Sequence, residues 1–135
     1  MRAGLMAAGA LLMLVACDDE INLPEPAETS GLTPDYCGVQ ELMDAKCLTC
    51  HGANASYPEL TDIADVVDVA SDSYPEETFV VPGDADASFL YAKCAGEQGD
   101  AGAAMPLGSD GLDADELDVL AQWIDDGATT DCEAR

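Results

Sequence analysis

Cys47-Leu48-Thr49-Cys50-His51 is the segment of this chain best equipped for chemistry. A C-x-x-C-H run has the spacing of c-type haem attachment. Two thiols three residues apart can reach two vinyl groups on one edge of a porphyrin. The next residue then turns its imidazole under the iron, a standard mode of haem ligation. Three other chemistries share part of the pattern. A thioredoxin-like dithiol belongs in a βαβ unit, which this sequence lacks. A zinc site needs a fourth ligand. His51 is the only histidine, so Cys94 or Cys132 would have to complete the set. A structural disulfide between Cys47 and Cys50 is strained at that spacing.

A second axial ligand would have to be a methionine, since no other histidine exists. Beyond the N-terminal segment the methionines are Met43 and Met105. Met43 lies one helical turn before Cys47, on the same element as the attachment motif, and cannot reach the opposite face of a ring. Met105 lies in a glycine-rich loop and is followed by Pro106, which stiffens it.

These residues need elements to hold them. A first helix is expected from Pro34 or Asp35 to about Cys50, with Val39, Leu42, Met43 and Lys46 at helical spacing and Gly52 as the stop. A second is expected over Asp62 to Ala70, from the stripe Ile63, Val66, Val67 and Ala70. Pro82-Gly83 marks a turn. Asp86 or Ser88 should cap a short helix through about Cys94. Residues 95 to 112, with five glycines, read as an irregular loop. The last helix has the clearest signals. Asp113 is the N-cap, Glu116 completes a capping box, and Leu112 and Leu117 are placed for a hydrophobic staple. Leu117, Leu120, Ala121 and Ile124 then recur on one face, and Gly127 ends the run. No hairpin signal stands out, so the expected fold class is all-α.

Length and charge narrow the partners. A chain of 135 residues holds one small domain, and with 5% aromatic residues it has little bulk for a core. A large apolar prosthetic group would supply the missing volume. Net charge is −24, with 28 acidic residues against four basic ones. Nucleic acid is excluded as a partner, because phosphate binding needs clustered Lys and Arg. An anionic membrane surface would repel the body of the protein, whereas basic protein partners suit it.

The N-terminus reads as an export signal. Arg2 precedes an apolar run, Leu5 to Val15, that is too short to span a bilayer. Leu14-Val15-Ala16-Cys17 resembles a bacterial lipobox, which makes Cys17 the lipidated first residue of the mature protein. Loss of residues 1–16 removes Arg2 and leaves three basic residues against 28 acidic, a net charge of −25. Residues 17–35 form an acidic tether rich in Pro, Ser and Thr. The folded domain is expected over 36–133. Asp18 resembles the inner-membrane retention signal of enteric bacteria, which leaves inner versus outer membrane open.

The segment also resembles a class I cytochrome c domain, most closely the short secreted ones of planctomycetes and myxobacteria. The likeness covers nearly all of Tyr36 to Ala128 and rests on C-x-x-C-H followed in order by other motifs. These are Val81-Pro82-Gly83-Asp84, Ser88-Phe89-Leu90-Tyr91, Met105-Pro106, Leu120, Trp123-Ile124 and Gly127-Ala128. The resemblance implies three to four helices around one covalent haem c, with the first and last helices in contact. It implies thioethers on Cys47 and Cys50, His51 as proximal ligand and Met105 as distal ligand. Family members often have a proline carbonyl bonded to the ligand histidine. Pro58 is the only nearby candidate, at a spacing that argues against it.

Cys37, Cys94 and Cys132 remain, and an oxidising compartment favours one disulfide among them. Cys37 with Cys132 would staple the terminal helices, while Cys94 could compete for either partner. The leftover thiol would be buried and inert. The expected role is outer-sphere electron transfer outside the cytoplasm by a monomeric, lipid-anchored carrier. It would do no bond-making chemistry and would face the periplasm or the cell surface. The membrane would be touched only through the lipid, and acidic residues would steer basic redox partners. The alternative is a haem-based ligand-binding or sensing domain with a displaceable Met105. The long-wavelength ferric band that marks iron–methionine ligation separates the two.

Overall fold

The computed structural model describes residues 31–55 and 58–132; the expected signal, Cys17 and most of the tether lie outside them. Four α-helices succeed one another: α1 (Tyr36–Lys46), α2 (Leu48–His51), α3 (Phe89–Ala95) and α4 (Ala114–Asp125). A 3-10 turn, Ile63–Val66, falls between α2 and α3. Among the described residues there is no β-strand, only the isolated bridges Val67 to Val80 and Ala70 to Thr78. The chain is mainly helical, as expected, and no described helix is long and apolar enough to cross a membrane.

α1 begins where Asp35 accepts a hydrogen bond from Gly38 N at 2.8 Å, the side-chain cap that a helix start requires. Thr33 Oγ1 donates to the same carboxylate at 2.9 Å, and a Cβ on Gly38 would collide with the Thr33 backbone. The last stretch of the expected tether thus belongs to the fold, with Leu32 packed on the core. Val39, Leu42 and Met43 are fully buried along α1, whereas Lys46 is exposed. The single helix expected through Cys50 is broken at Cys47. The buried stripe Val39, Leu42, Met43 and Cys47 ends there, and β-branched Thr49 and Gly52 favour only one further turn.

The helix expected over Asp62 to Ala70 is not formed beyond its first turn. Asp62 caps that turn by accepting from Ala64 N and from the Tyr36 hydroxyl, each at 2.9 Å, and Gln40 Oε1 accepts from Ile63 N at 2.8 Å. The chain then turns at Asp68, where φ is +56°. Backbone pairing with residues 77–80 takes over, through Phe79 N to Val69 O and Asp68 N to Val80 O, each at 2.9 Å. Valines carry weak helix propensity, and long-range pairing decided the outcome.

That extended segment also starts α3. Phe89 N donates to Thr78 O and Leu90 N to Phe79 O, satisfying amides that a cap would otherwise serve. Ser88 holds the N-cap position, but its hydroxyl does not cap. It accepts from Val81 N and donates to Asp84 O, both at 2.8 Å.

α4 carries the full expected capping box, with Glu116 N to Asp113 Oδ1 at 2.9 Å and Asp113 N to Glu116 Oε2 at 3.2 Å. Its buried face is Glu116, Val119, Leu120, Trp123 and Ile124, rotated from the expected stripe so that Leu117 and Ala121 lie at the margin. α4 packs on both α1 and α3, so the first and last helices are in contact. Its far end is covered by the Pro82-Gly83 turn, where Gly83 N donates to Ile124 O at 2.7 Å and Ala85 N to Asp125 Oδ1 at 2.9 Å. Trp123 Nε1 donates to Thr129 O at 2.9 Å, which satisfies the one polar atom of the largest buried side chain.

Cys37 and Cys132 form a disulfide with their Cα atoms 5.3 Å apart, and Tyr36 N donates to Asp131 O at 3.3 Å beside it. Cys94 is left as a buried free thiol.

Candidate functional site

The break at Cys47 arranges the motif. Cys47 N donates to Met43 O, closing α1, and both Cys50 N and His51 N then donate to Cys47 O, making α2 a single tight turn. Cys47 is buried and Cys50 is exposed, so one thiol lies inside the body and the other at its surface. Both are free thiols rather than a disulfide.

His51 is half-buried. Its Nδ1 lies 2.8 Å from Pro58 O, and Leu60 N donates to His51 O at 2.8 Å. A carbonyl can only accept, so this contact assigns the proton to Nδ1 and leaves Nε2 with a free lone pair. Sequence spacing spoke against Pro58, yet the reversal after α2 brings its carbonyl back to the ring. The same kind of outer partner orients ligand histidines in metal sites.

Met105 is brought to the same place from the other side of the sequence. Its amide donates to Lys93 O at 2.8 Å. Lys93 Nζ donates to Ala101 O at 2.8 Å and also to Ala103 O. Gln98 Nε2 donates to Gly102 O at 3.1 Å. Farther on, Leu112 N donates to Cys94 O at 2.8 Å, an approach that requires glycine at 111, where a Cβ would collide with that carbonyl. The loop expected over 95–112 is irregular, but it is tied to α3 along its length.

Cys47, His51 and Met105 together line two adjoining cavities. The inner one spans about 720 Å³, part of it open to solvent. Its wall is Leu60, Phe79, Phe89 and Leu90, with Pro58 beside His51 and with Ser71, Ser73, Tyr74 and Lys93 as polar members. Phe89 organises the aromatic part, its ring centroid 5.5 Å from that of Tyr74 and 6.1 Å from that of Phe79. The outer cavity, about 610 Å³, adds Lys46, Cys50, Pro106 and Leu107. Leu107 is 72% exposed, the one large hydrophobic side chain so exposed among the described residues.

Burial sets the character of the thiols. It pushes the Cys47 thiol up to about 11, helped by the Glu116 carboxylate, and the Cys94 thiol up to about 12. Both are therefore protonated at neutral pH, unlike the low-pKa thiolates of dithiol redox catalysts. Cys94 also lines the inner cavity, where it is a small apolar wall element. Glu116 pairs with Lys46 at 2.7 Å, tying α4 to the end of α1 just ahead of Cys47. The bonded carboxylate holds the Lys46 ammonium above its ordinary pKa.

These residues could hold a covalent haem. There are two free thiols at attachment spacing, an imidazole with a free Nε2, a thioether on the same slot, and apolar walls with aromatic rings. Among the described residues no three His, Cys, Asp or Glu side chains converge to hold a metal ion. Sequence reasoning missed the part played by Lys93 and the aromatic wall from Tyr74 and Phe79. Only the aromatic residue types themselves, in a chain with few of them, hinted at the wall. The chain matches no family model, no curated protein and no solved structure.

Proposed function

We propose that this chain is a monohaem c-type cytochrome lipoprotein that carries single electrons between redox proteins outside the cytoplasm. The observation that carries the reading is the common slot of Cys47, His51 and Met105, with His51 Nδ1 bonded to Pro58 O at 2.8 Å. Bound there, haem iron supplies a reversible one-electron couple. Cys47 and Cys50 would hold the haem covalently, each thiol adding its S–H across one vinyl group with no leaving group. The Pro58 carbonyl keeps the His51 proton on Nδ1 and presents Nε2 as ligand. Met105 presents a soft thioether, which favours the reduced state and a positive potential. Leu60, Phe79, Phe89 and Leu90 keep water from the ring. With His51 and Met105 both as ligands, no position would be open for substrate, which favours a carrier over an enzyme.

A net charge of −24 steers basic partners toward the surface and weakens as salt is raised. The lipobox-like Cys17 would anchor the protein to a membrane while the acidic body stays in water.

The test is expression of the full chain in a host with cytochrome maturation machinery. A mass gain of one haem is expected, with a c-type visible spectrum, the long-wavelength ferric iron–sulfur band and a reversible one-electron titration. Replacing Cys47 and Cys50 by Ala should abolish covalent attachment. Colourless protein with no mass gain would refute the proposal.

A further inference from the structure

Lys93 is one of four basic residues in the chain, yet among the described residues its ammonium joins no carboxylate. Instead it turns along α3, 5.9 Å from the centroid of the Phe89 ring, and donates to the carbonyls of Ala101 and Ala103. Its own carbonyl accepts from Met105 N. One residue therefore grips positions 101, 103 and 105 in succession. The segment it grips belongs to a loop with five glycines between residues 95 and 112, so the chain would otherwise have a wide choice of conformations. Hydrogen bonds from a charged donor are among the stronger ones; the bond to Ala101 is partly buried and the bond to Ala103 is exposed. Burial pulls the Lys93 ammonium below its ordinary pKa.

We propose that Lys93 is the positioning residue for Met105. It locks residues 101–105 onto α3 so that the thioether stays on the slot, and its loss opens that side of the slot to small external ligands. The ligand part of this inference rests on the proposed haem reading; the lock on the loop does not. Lys93→Leu keeps an apolar stem and removes the ammonium, while Lys93→Arg restores donors.

Two measurements on the full chain decide it. The first is amide hydrogen exchange across residues 101–107. It should be at least about tenfold faster in Lys93→Leu and near wild type in Lys93→Arg. Unchanged exchange in Lys93→Leu overturns the lock. The second, on haem-loaded protein, is the ferric iron–sulfur band together with imidazole binding. Lys93→Leu should weaken the band and raise imidazole affinity at least about tenfold. Faster exchange with unchanged band and affinity overturns the role toward Met105. If the wild type carries no haem, the proposed function fails, while exchange still judges the lock. If Lys93→Leu does not fold, Gly102→Ala strains the loop from the other side. Its φ is +80°, and an added Cβ would lie 3.6 Å from Lys93 Nζ. That variant should also speed exchange, and slow exchange in it overturns the proposal.

Discussion

Removing the disulfide between Cys37 and Cys132 tests how the helical frame is held. The bond joins the start of α1 to the segment after α4 across a sequence separation of 95. In the chain-entropy model a closed loop of that length limits the unfolded chain by about 4.7 kcal/mol at 25 °C. That is a large share of the roughly 5–15 kcal/mol that stabilises an ordinary domain. With an m-value of about 2 kcal/mol/M, the Cys37→Ser/Cys132→Ser double variant should unfold in urea about 2 M earlier than the wild type. Equilibrium unfolding followed by far-UV circular dichroism and by Trp123 fluorescence measures it. The two probes should coincide in both proteins, and reductant should move the wild type toward the variant while leaving the variant unchanged. A midpoint shift below about 0.5 M would show that the closed loop does not limit the unfolded chain as reasoned. The α1 to α4 packing would then hold the ends together without help.

Alkaline pH gives a second test, through Cys94. Folding raises its thiol from 9.0 to about 12, so its contribution to stability is fully present below pH 9 and is lost as pH rises from 9 toward 12. Cys94→Ala in the haem-loaded protein should remove a dependence of about 1.4 kcal/mol per pH unit from that window, read by urea midpoints at stepped pH; identical slopes in the two proteins would contradict this. Glu116→Gln tests the tie between α4 and α1. Because the Lys46 side chain is 43% exposed, the pair should be worth under about 1 kcal/mol, and the loss should vanish in about 1 M salt; a larger loss that persists in salt would point to the capping box instead.

Local signals in this sequence were readable and distant ones were not. The α4 start is written in four consecutive residues, Asp113 to Glu116, and the structure has both of its reciprocal bonds. The stop at Gly127 and the buried face of α1 follow from equally short patterns. Residues 62–70 misled because their fate was decided by Thr78 to Val80, whose backbone takes up amides and carbonyls that a helix would have used internally. Ser88 carried the right residue type for a cap, but residues 78 and 79 had already supplied the acceptors. The attachment spacing of Cys47, Cys50 and His51 was plain, and Met105 was picked by elimination. Pro58 was named as a partner for His51 only through the family resemblance and discounted on its spacing, and Lys93 was not legible at all. Both act through folding of the chain back on itself, and neither a proline carbonyl nor a single lysine announces its direction from its place in a sequence.

The joining of residues 36–37 to residues 131–132 also sets where a load on the chain enters the body. Both ends of the described domain leave by one pole, where Tyr36 N meets Asp131 O. From there α1 carries the chain through 11 residues, about 16 Å, before Cys47 opens the slot. A pull applied from the N-terminal side therefore reaches the helical body beside Asp131, and the disulfide passes it to the segment after α4 as well as to α1. Cys50 and exposed Leu107 sit a helix length away from that point of load.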